Sequence, residues 1–187
     1  ADSLAIYSSG SVSYLTVPYY NIRTLKFDAT GNLWVGTTTR VYCYTSSLVF
    51  QTPSGLNNNC LGTVRAIEID AGGDKWFYFS TGDDGRDVGG IRGYIGTDFT
   101  QADDPLNLWA ILNSTTNSNI PDDNIRDAKI VGSDTWIGTD NGLVEVDKNF
   151  KVVKTYEDTV ANSSVYEIEY DTNGYMWICT LDNGLFK

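Results

Sequence analysis

The stretch FDATGNLWVGT at residues 27–37 decides the fold, because variants of it return three more times along the chain. Aligned on a tryptophan, the four copies are NIRTLKFDATGNLWVGT (21–37), TVRAIEIDAGGDKWFYF (63–79), NIRDAKIVGSDTWIGT (124–139) and SVYEIEYDTNGYMWICT (164–180). The tryptophans are Trp34, Trp76, Trp136 and Trp177, which lie 42, 60 and 41 residues apart. A period near 40 residues indicates a repeat architecture.

Each copy is composed of short runs of β-branched, aromatic and aliphatic residues bounded by Gly, Asn, Asp and Ser, which is the pattern of strands and turns. A second pair of such runs follows each of the first three tryptophans, for example RVYCY and SLVFQ after Trp34, whereas the last copy stops at GLFK. No segment has the 3.6-residue period that a helix requires. Each copy therefore predicts about four antiparallel strands.

A single sheet of this kind would leave an apolar face and bare edges in water, and stacking the sheets around an axis buries those faces. Four-stranded blades repeating at about 40 to 50 residues are typical of a β-propeller. We predict an all-β chain with one β-propeller domain over residues 1–187, built of about four four-stranded antiparallel blades. The predicted blades cover approximately 21–53, 63–113, 124–157 and 164–187, with 1–17 contributing a closing strand. Because the two ends overlap in one element, we expect a fragment of a larger ring or a homo-oligomeric assembly of copies.

Composition excludes several classes of partner. The chain has 13 Lys and Arg against 24 Asp and Glu, a net charge of −11, which would repel phosphate backbones and anionic lipids. We therefore expect no nucleic acid partner and no membrane insertion of this segment. The chain has no histidine, the commonest general base. Cys43 and Cys179 follow strand-like runs and are interpreted as small buried hydrophobic residues and not as disulfide partners.

The motifs FDATGNLWVGT (27–37) and DTWIGTDNGL (134–143) resemble the two-component regulator propeller repeat. That resemblance implies seven-bladed propellers in the extracytoplasmic sensor parts of hybrid two-component systems, many of which sense glycans. It also implies a periplasmic or extracellular location, and a downstream signalling segment or further propeller blades as partners. Four copies of the repeat are too few for a ring of seven blades.

Candidate ligand-binding residues recur in phase at the start of the predicted innermost strands, where the four copies have Arg23, Arg65, Arg126 and Tyr166. On so acidic a chain, convergent guanidinium groups would form a positive site suited to a carboxylate or sulfate group of a sugar. The alternative is a set of ion pairs between blades. Loops expected at the same face add Arg40, Asp83, Asp84, Arg86, Asp87, Asp140 and Asp182.

Two further ligand hypotheses depend on residues outside the repeat. The loop GDDGRD (82–87) could hold calcium, but it lacks the ligand spacing of a known calcium loop, so we expect no metal and no cofactor. The repeated tryptophans are expected to pack between sheets. Aromatic residues that break the repeat are the better candidates for stacking against a sugar, and these are Trp109, Tyr19, Tyr20 and Tyr78.

We predict a noncatalytic ligand-recognition module that binds a glycan, a small molecule or another polar ligand on the axial face. A structural or protein-interaction propeller is the alternative. A propeller glycosidase or lyase is less favoured, because virginiamycin lyases of this architecture rely on histidine and the Asp-box of sialidases has a different spacing. The only candidate glycosidase carboxylates are Glu68, Glu167 and Glu169.

Overall fold

The computed structural model describes residues 2–17, 21–51, 62–80, 89–94, 111–112, 120–149, 151–156, 160 and 163–187. Every element whose bounds are described is a β-strand, and Val160 is a single described residue in helical conformation. The strands are β1 Asp2–Ser8, β2 Ser11–Val17, β3 Ile22–Phe27, β4 Leu33–Thr37, β5 Val41–Tyr44, β6 Phe50–Gln51, β7 Thr63–Ile69, β8 Lys75–Ser80, β9 Gly90–Tyr94, β10 Ile111–Leu112, β11 Ile125–Val131, β12 Asp134–Thr139, β13 Gly142–Val146, β14 Val152–Thr155, β15 Val165–Tyr170, β16 Met176–Thr180 and β17 Gly184–Phe186.

The strands form five sheets in which each strand pairs antiparallel with its neighbour in sequence. A two-stranded sheet of β1 and β2 precedes the first sheet (β3–β6), the second sheet (β7–β10), the third sheet (β11–β14) and the three-stranded fourth sheet (β15–β17). The first strands of successive sheets lie against one another, β3 against β7, β7 against β11 and β11 against β15. The predicted all-β propeller architecture with four-stranded antiparallel sheets is confirmed, and the described sheets do not close a ring.

The hairpin of β1 and β2 packs its apolar face on the first sheet. Leu4, Leu15 and Val17 join one hydrophobic cluster with Leu33 and Val35 on the first sheet. In the described residues β1 and β2 pair with each other, and β17 pairs with β16. That residues 1–17 close the ring by supplying a strand to the last blade stays a prediction.

The first, second and fourth copies contain the motif Asp-x-x-Gly-x-x-Trp, whose aspartate ties together the hairpin of the first two strands of the sheet. Asp28 Oδ1 accepts hydrogen bonds from the backbone N–H groups of Thr30 at 3.0 Å and Asn32 at 2.9 Å, and Oδ2 accepts from Trp34 Nε1 at 3.1 Å. This is the local bonding that makes Asp a turn former. Burial opposes ionisation of Asp28, but the hydrogen bonds from Thr30, Trp34 and Asn32 outweigh it and lower the pKa to about 2. The motif is therefore a structural clamp.

The second and fourth copies repeat the clamp, and the third does not. Trp76 Nε1 donates to Asp70 at 3.1 Å, and Trp177 Nε1 donates to Asp171 at 2.9 Å. In the third copy Val131 replaces the aspartate, and the residues between Val131 and Asp134 form a two-residue turn. This shorter turn follows from the missing D-x-x-G spacing.

Three of the four repeated tryptophans, Trp34, Trp76 and Trp136, pack between sheets, as expected. Trp34 is fully buried and lies 5.7 Å from Phe77 of the second sheet, measured between ring centroids. Cys43 belongs to the same cluster and is buried. The expectation for Cys179 is wrong, because this thiol is exposed on the fourth sheet, where no described residue covers it. The expectation for Tyr78 is also wrong, because its ring is fully buried between the second and third sheets and is no stacking platform.

Glycine of the W-x-G-T sequence, which lies near the end of the second strand in the first and third sheets, allows the next sheet to approach closely. A Cβ on Gly138 would lie 2.5 Å from Val165 Cγ1, and a Cβ on Gly36 would lie 2.7 Å from Val64 Cγ1. Any side chain at these two positions would overlap the first strand of the following sheet.

Candidate functional site

The four repeated candidate residues share one structural position, a β-bulge. The pairing between the first and second strand of every sheet shifts by one residue, and the residue passed over is Arg23, Arg65, Arg126 or Tyr166. A bulge leaves the extra residue out of the hydrogen-bond ladder and re-aims its side chain. We call these four residues the bulge cluster. Sequence reasoning placed them in phase but did not foresee the bulge.

Among the described residues, Arg126 is the member of the bulge cluster that pairs with a carboxylate. Its Nε donates to Asp140 Oδ1 at 2.5 Å, and its second terminal nitrogen donates to Asp140 Oδ2 at 2.9 Å. Asp140 also accepts from Ser164 Oγ at 2.8 Å and from the Asn124 amide. Burial would raise the pKa of Asp140, but the hydrogen bonds from Arg126 and Ser164 outweigh it and lower the pKa. Arg126 is thus neutralised, and it ties the third sheet to the fourth through Asp140.

Arg65 lies between two other guanidinium groups and has a neutral partner. Its Nε donates to Ser80 Oγ at 3.0 Å. Burial lowers the pKa of Arg65, and the positive charges of Arg126 and Arg23 lower it further. Arg23 is exposed, and no described carboxylate forms an ion pair with it or with Arg65. Within the described part of the chain, the exposed Arg23 and the half-buried Arg65 therefore lie near each other on adjacent sheets without a carboxylate partner.

Tyr166 occupies the bulge of the fourth sheet. Its ring is 53% exposed, and Arg126 Cζ lies 5.8 Å from the ring centroid. This distance is within the range of a cation–π contact. The bulge cluster thus ends in an aromatic ring that adjoins the guanidinium row.

The remaining predicted residues lie in loops at the same end of the sheets or outside the described residues. Arg40 follows β4 and Asp182 follows β16, and no described hydrogen bond or ion pair joins either side chain to the bulge cluster. The Asp83, Asp84, Arg86 and Asp87 loop lies outside the described residues, as does its candidate calcium site, and so do Trp109, Tyr19 and Tyr20. Among the described residues, no group of three or more acidic or cysteine side chains is arranged to hold a metal.

Below the bulge cluster, the first strands line a polar groove of about 390 Å³. One register position carries alternating charge in the four copies, in the order Lys26, Glu68, Lys129 and Glu169. Lys26 Nζ lies 2.7 Å from Glu68 Oε1, and Lys129 Nζ lies 2.8 Å from Glu169 Oε2. Ion pairs between blades were the alternative role for the repeated arginines. Such pairs are present between adjacent sheets, but lysines form them. Alternation of Lys and Glu at one aligned position was the sequence signal for them.

A second layer of carboxylates lines the same groove. Asp127 Oδ2 accepts a hydrogen bond from the backbone N–H of Ile168 at 2.7 Å, and the next equivalent residue is Glu167. Burial raises the pKa of Asp127 to about 6, and the charges of Glu167 and Glu68 act in the same direction. Of the three candidate glycosidase carboxylates, Glu68 and Glu169 are held in ion pairs with lysines. These pairings favour a structural role for them.

Sequence and structure comparisons are consistent with this arrangement. The family model described as two component regulator propeller matches residues 16–39, which include β3, the first Asp-Trp clamp and β4. No curated protein sequence matches the chain. The described part contains no helix that is long and apolar enough to span a membrane.

Solved structures show the same fold. The extracellular domain of BT3049 from B. thetaiotaomicron, assigned as a hybrid two component system, has a TM-score of 0.68 at 21% identity and covers 97% of this chain. PorZ, a bacterial surface component of the type-IX secretion system of Porphyromonas gingivalis, has a TM-score of 0.69 at 17% identity over 97% of the chain. Virginiamycin B lyase from Staphylococcus aureus has a TM-score of 0.56 at 14% identity over 84%.

The chain spans 24% of the BT3049 chain, 29% of the PorZ chain and 48% of the lyase chain. At these identities the likeness shows the fold alone. The fold and the family-model match together describe a β-propeller segment similar to the extracellular domains of hybrid two component sensors.

Proposed function

We propose that this chain is a noncatalytic ligand-recognition segment of an extracytoplasmic sensor propeller, and that it binds an anionic, polar ligand at the bulge cluster. The observation that carries the proposal is that Arg65 lies between Arg23 and Arg126, and that neither Arg23 nor Arg65 forms an ion pair with a carboxylate of the described residues. Holding like charges together costs free energy, and a carboxylate or sulfate that bridges them would recover it. An acidic oligosaccharide is the ligand class that we propose, with Tyr166 available for stacking.

Arg23 and Arg65 belong to adjacent sheets, so one anion bound by both would tie those sheets together. The ligand would therefore favour one packing of the first sheet on the second, and a connected signalling segment or further blades would respond to that change. The location proposed for this function is periplasmic or extracellular. No cofactor takes part in it.

The test is isothermal titration calorimetry against a panel of sulfated and uronic-acid oligosaccharides, with neutral oligosaccharides of equal length. We expect binding of an acidic member, and we expect Arg65→Gln and Arg23→Gln each to weaken it by about tenfold or more, the loss of one charge-assisted hydrogen-bonded contact. Lys151→Gln removes the same charge from an exposed turn at the opposite end and is the matched control, expected to change little. Equal weakening by all three variants would reject a specific site.

A protein-interaction or structural role is the second candidate, and exposed apolar side chains on the fourth sheet favour it. Leu181 is 65% exposed and Leu185 is 64% exposed. The absence of any binding across the acidic and neutral panels would favour this role over ligand recognition. Lyase chemistry of the histidine-dependent type has no residue to perform it, because the sequence has no histidine.

A further inference from the structure

A second cavity, separate from the bulge cluster, lies at the opposite end of the strands. It is a cleft of about 220 Å³ between the second and third sheets, beside the turn that joins β7 to β8. The lining side chains that matter here are Asp70, Asp74, Trp76, Ser133, Thr135 and Lys148. Its size suits a ligand of few heavy atoms.

In the interface between the first and second sheets, a lysine side chain fills the position that corresponds to this cleft. Between the first and second sheets, Lys75 extends back over the tryptophan of the preceding sheet, and its Nζ lies 5.6 Å from the centre of the Trp34 ring. Lys75 is only 3% exposed, and Trp34 is fully buried beneath it. An ammonium group over an indole face is a favourable cation–π arrangement.

Thr135 takes the place of Lys75 in the next interface. Lys75 pairs with Ile69 and directly precedes Trp76, and Thr135 pairs with Ile130 and directly precedes Trp136, so the two residues share one register position. A threonine side chain ends at its γ atoms and does not reach the preceding tryptophan as a lysine does. Gly132 and Ser133, which form the two-residue turn of the third copy, also line the cleft. Between the first and second sheets, the Lys75 side chain occupies the space beside Trp34. The cleft beside Trp76 is the corresponding space between the second and third sheets.

The clamp aspartate beside the cleft has an equivalent beside Lys75. Asp28 accepts from Trp34 Nε1 in the first interface, and Asp70 accepts from Trp76 Nε1 in the second, at 3.1 Å in both. Burial lowers the pKa of Lys75, while the charge of Asp28 acts in the opposite direction and favours the ammonium form. The cleft lining contains two carboxylates, Asp70 and Asp74, and one ammonium group, that of Lys148. The charges of Asp74 and Asp70 also favour the ammonium form of Lys75, so the same carboxylates already stabilise one ammonium group.

We propose that this cleft binds a small alkylammonium ion, with the ammonium group beside the Trp76 indole and near Asp70 and Asp74. The chain's own Lys75 is the intramolecular counterpart of that ligand. This site is independent of the anion site proposed at the bulge cluster.

The experiment compares n-butylammonium chloride with butan-1-ol, a neutral molecule of nearly equal size, by calorimetric titration at constant ionic strength. We expect n-butylammonium to bind about tenfold more tightly. Thr135→Lys should place a covalent ammonium group in the cleft and abolish this binding, while Thr135→Ser, the control, should retain it. Asp74→Asn should weaken it, and Arg65→Gln should leave it unchanged.

The proposal would be overturned if the wild-type chain bound butan-1-ol as tightly as n-butylammonium, or did not bind n-butylammonium at all. It would also be overturned if a folded Thr135→Lys variant bound n-butylammonium with the wild-type affinity. If Thr135→Lys fails to fold, the Asp74→Asn variant decides, and unchanged n-butylammonium affinity in that variant overturns the proposal. Because the Arg65→Gln variant reports on the bulge cluster alone, failure of either site is distinguishable from failure of the other.

Discussion

The carboxylate of Asp127 on β11 accepts a hydrogen bond from the backbone N–H of Ile168 on β15, at 2.7 Å. This bond joins the third sheet to the fourth inside the polar groove. Glu68 on β7 makes the same kind of contact one interface earlier, accepting from the backbone N–H of Ile130 on β11 at 3.3 Å. Acidic side chains on one first strand therefore satisfy backbone donors of the next, which helps to fix the spacing of successive sheets.

Asp127→Asn should stabilise the fold at neutral pH. The folded-state pKa of Asp127 is raised from 3.8 to about 6, so the ionised group is disfavoured by folding, and wild-type stability falls as pH rises through about 6. Asparagine keeps an oxygen that can accept from Ile168. Because the groove is open to water, we expect a gain of about 1–2 kcal/mol at pH 8 and none at pH 4. Urea unfolding at the two pH values measures it, and an equal effect at both would contradict the assignment.

Asp28→Asn should do the opposite and remove stability that depends on the ionised carboxylate. The folded-state pKa of Asp28 is lowered to about 2, so its contribution is present above pH 4 and is lost as pH falls towards 2. After allowance for solvent screening, we expect the free energy of unfolding to fall by about 1 kcal/mol at pH 6, and we expect this difference to disappear at pH 2. Asp134→Asn, in the copy without the clamp, is the control. An equal stability difference between the variant and the wild type at pH 2 would show that the charge of Asp28 does not cause the loss.

Gly138→Ala should destabilise the chain by steric overlap. The added Cβ would lie 2.5 Å from Val165 Cγ1 and 2.9 Å from Val165 Cβ, so the third and fourth sheets would have to separate. Overpacking of this kind costs about 1–3 kcal/mol. Cys179→Ala changes the same register position on the fourth sheet, where the side chain is exposed, and should be nearly neutral. Thermal unfolding of both variants is the measurement, and equal melting temperatures would refute the close-approach role of Gly138.

Lys26→Met should cost more stability than Lys129→Met, although both lysines pair with a glutamate at the same register. The Glu68 side chain is only 11% exposed, so loss of Lys26 leaves a largely buried carboxylate without its cation. The Glu169 side chain is 63% exposed and is already hydrated, so loss of Lys129 costs less. We expect about 1–2 kcal/mol for Lys26→Met and less than about 0.5 kcal/mol for Lys129→Met. Chemical denaturation in low salt compares the two. A larger loss for Lys129→Met would show that the exposure of the partner does not set the cost.

Much of the fold was predictable because short segments of each repeat carry clear strand and turn patterns. Alternating runs with Gly, Asn and Asp at the turns specify antiparallel hairpins, and the return of Trp34 as Trp76, Trp136 and Trp177 specifies a stack of similar sheets. The in-phase position of Arg23, Arg65 and Arg126 was readable for the same reason. Exposure of Cys179 was not predictable, because it depends on whether another sheet covers that face, and an alternating pattern carries no information about this.

The sequence by itself determined the all-β class and the strand and turn pattern, because these depend on residues close together in the chain. It also determined the repeating sheet and the row of candidate residues, because the same local pattern returns in phase along the chain. The tertiary structure alone decided which charges are paired. It neutralised Arg126 with Asp140 while leaving Arg65 with Ser80, paired Lys26 with Glu68 across two sheets, and opened a cleft where Thr135 stands in place of a lysine. The Arg126–Asp140 and Arg65–Ser80 contacts each lie within one sheet and its turns, at separations of 14 and 15 residues, and they depend on the bulge that re-aims each arginine. The Lys26–Glu68 pair and the Thr135 cleft depend on the register and separation of neighbouring sheets, which are set by packing between segments 40 or more residues apart in the chain.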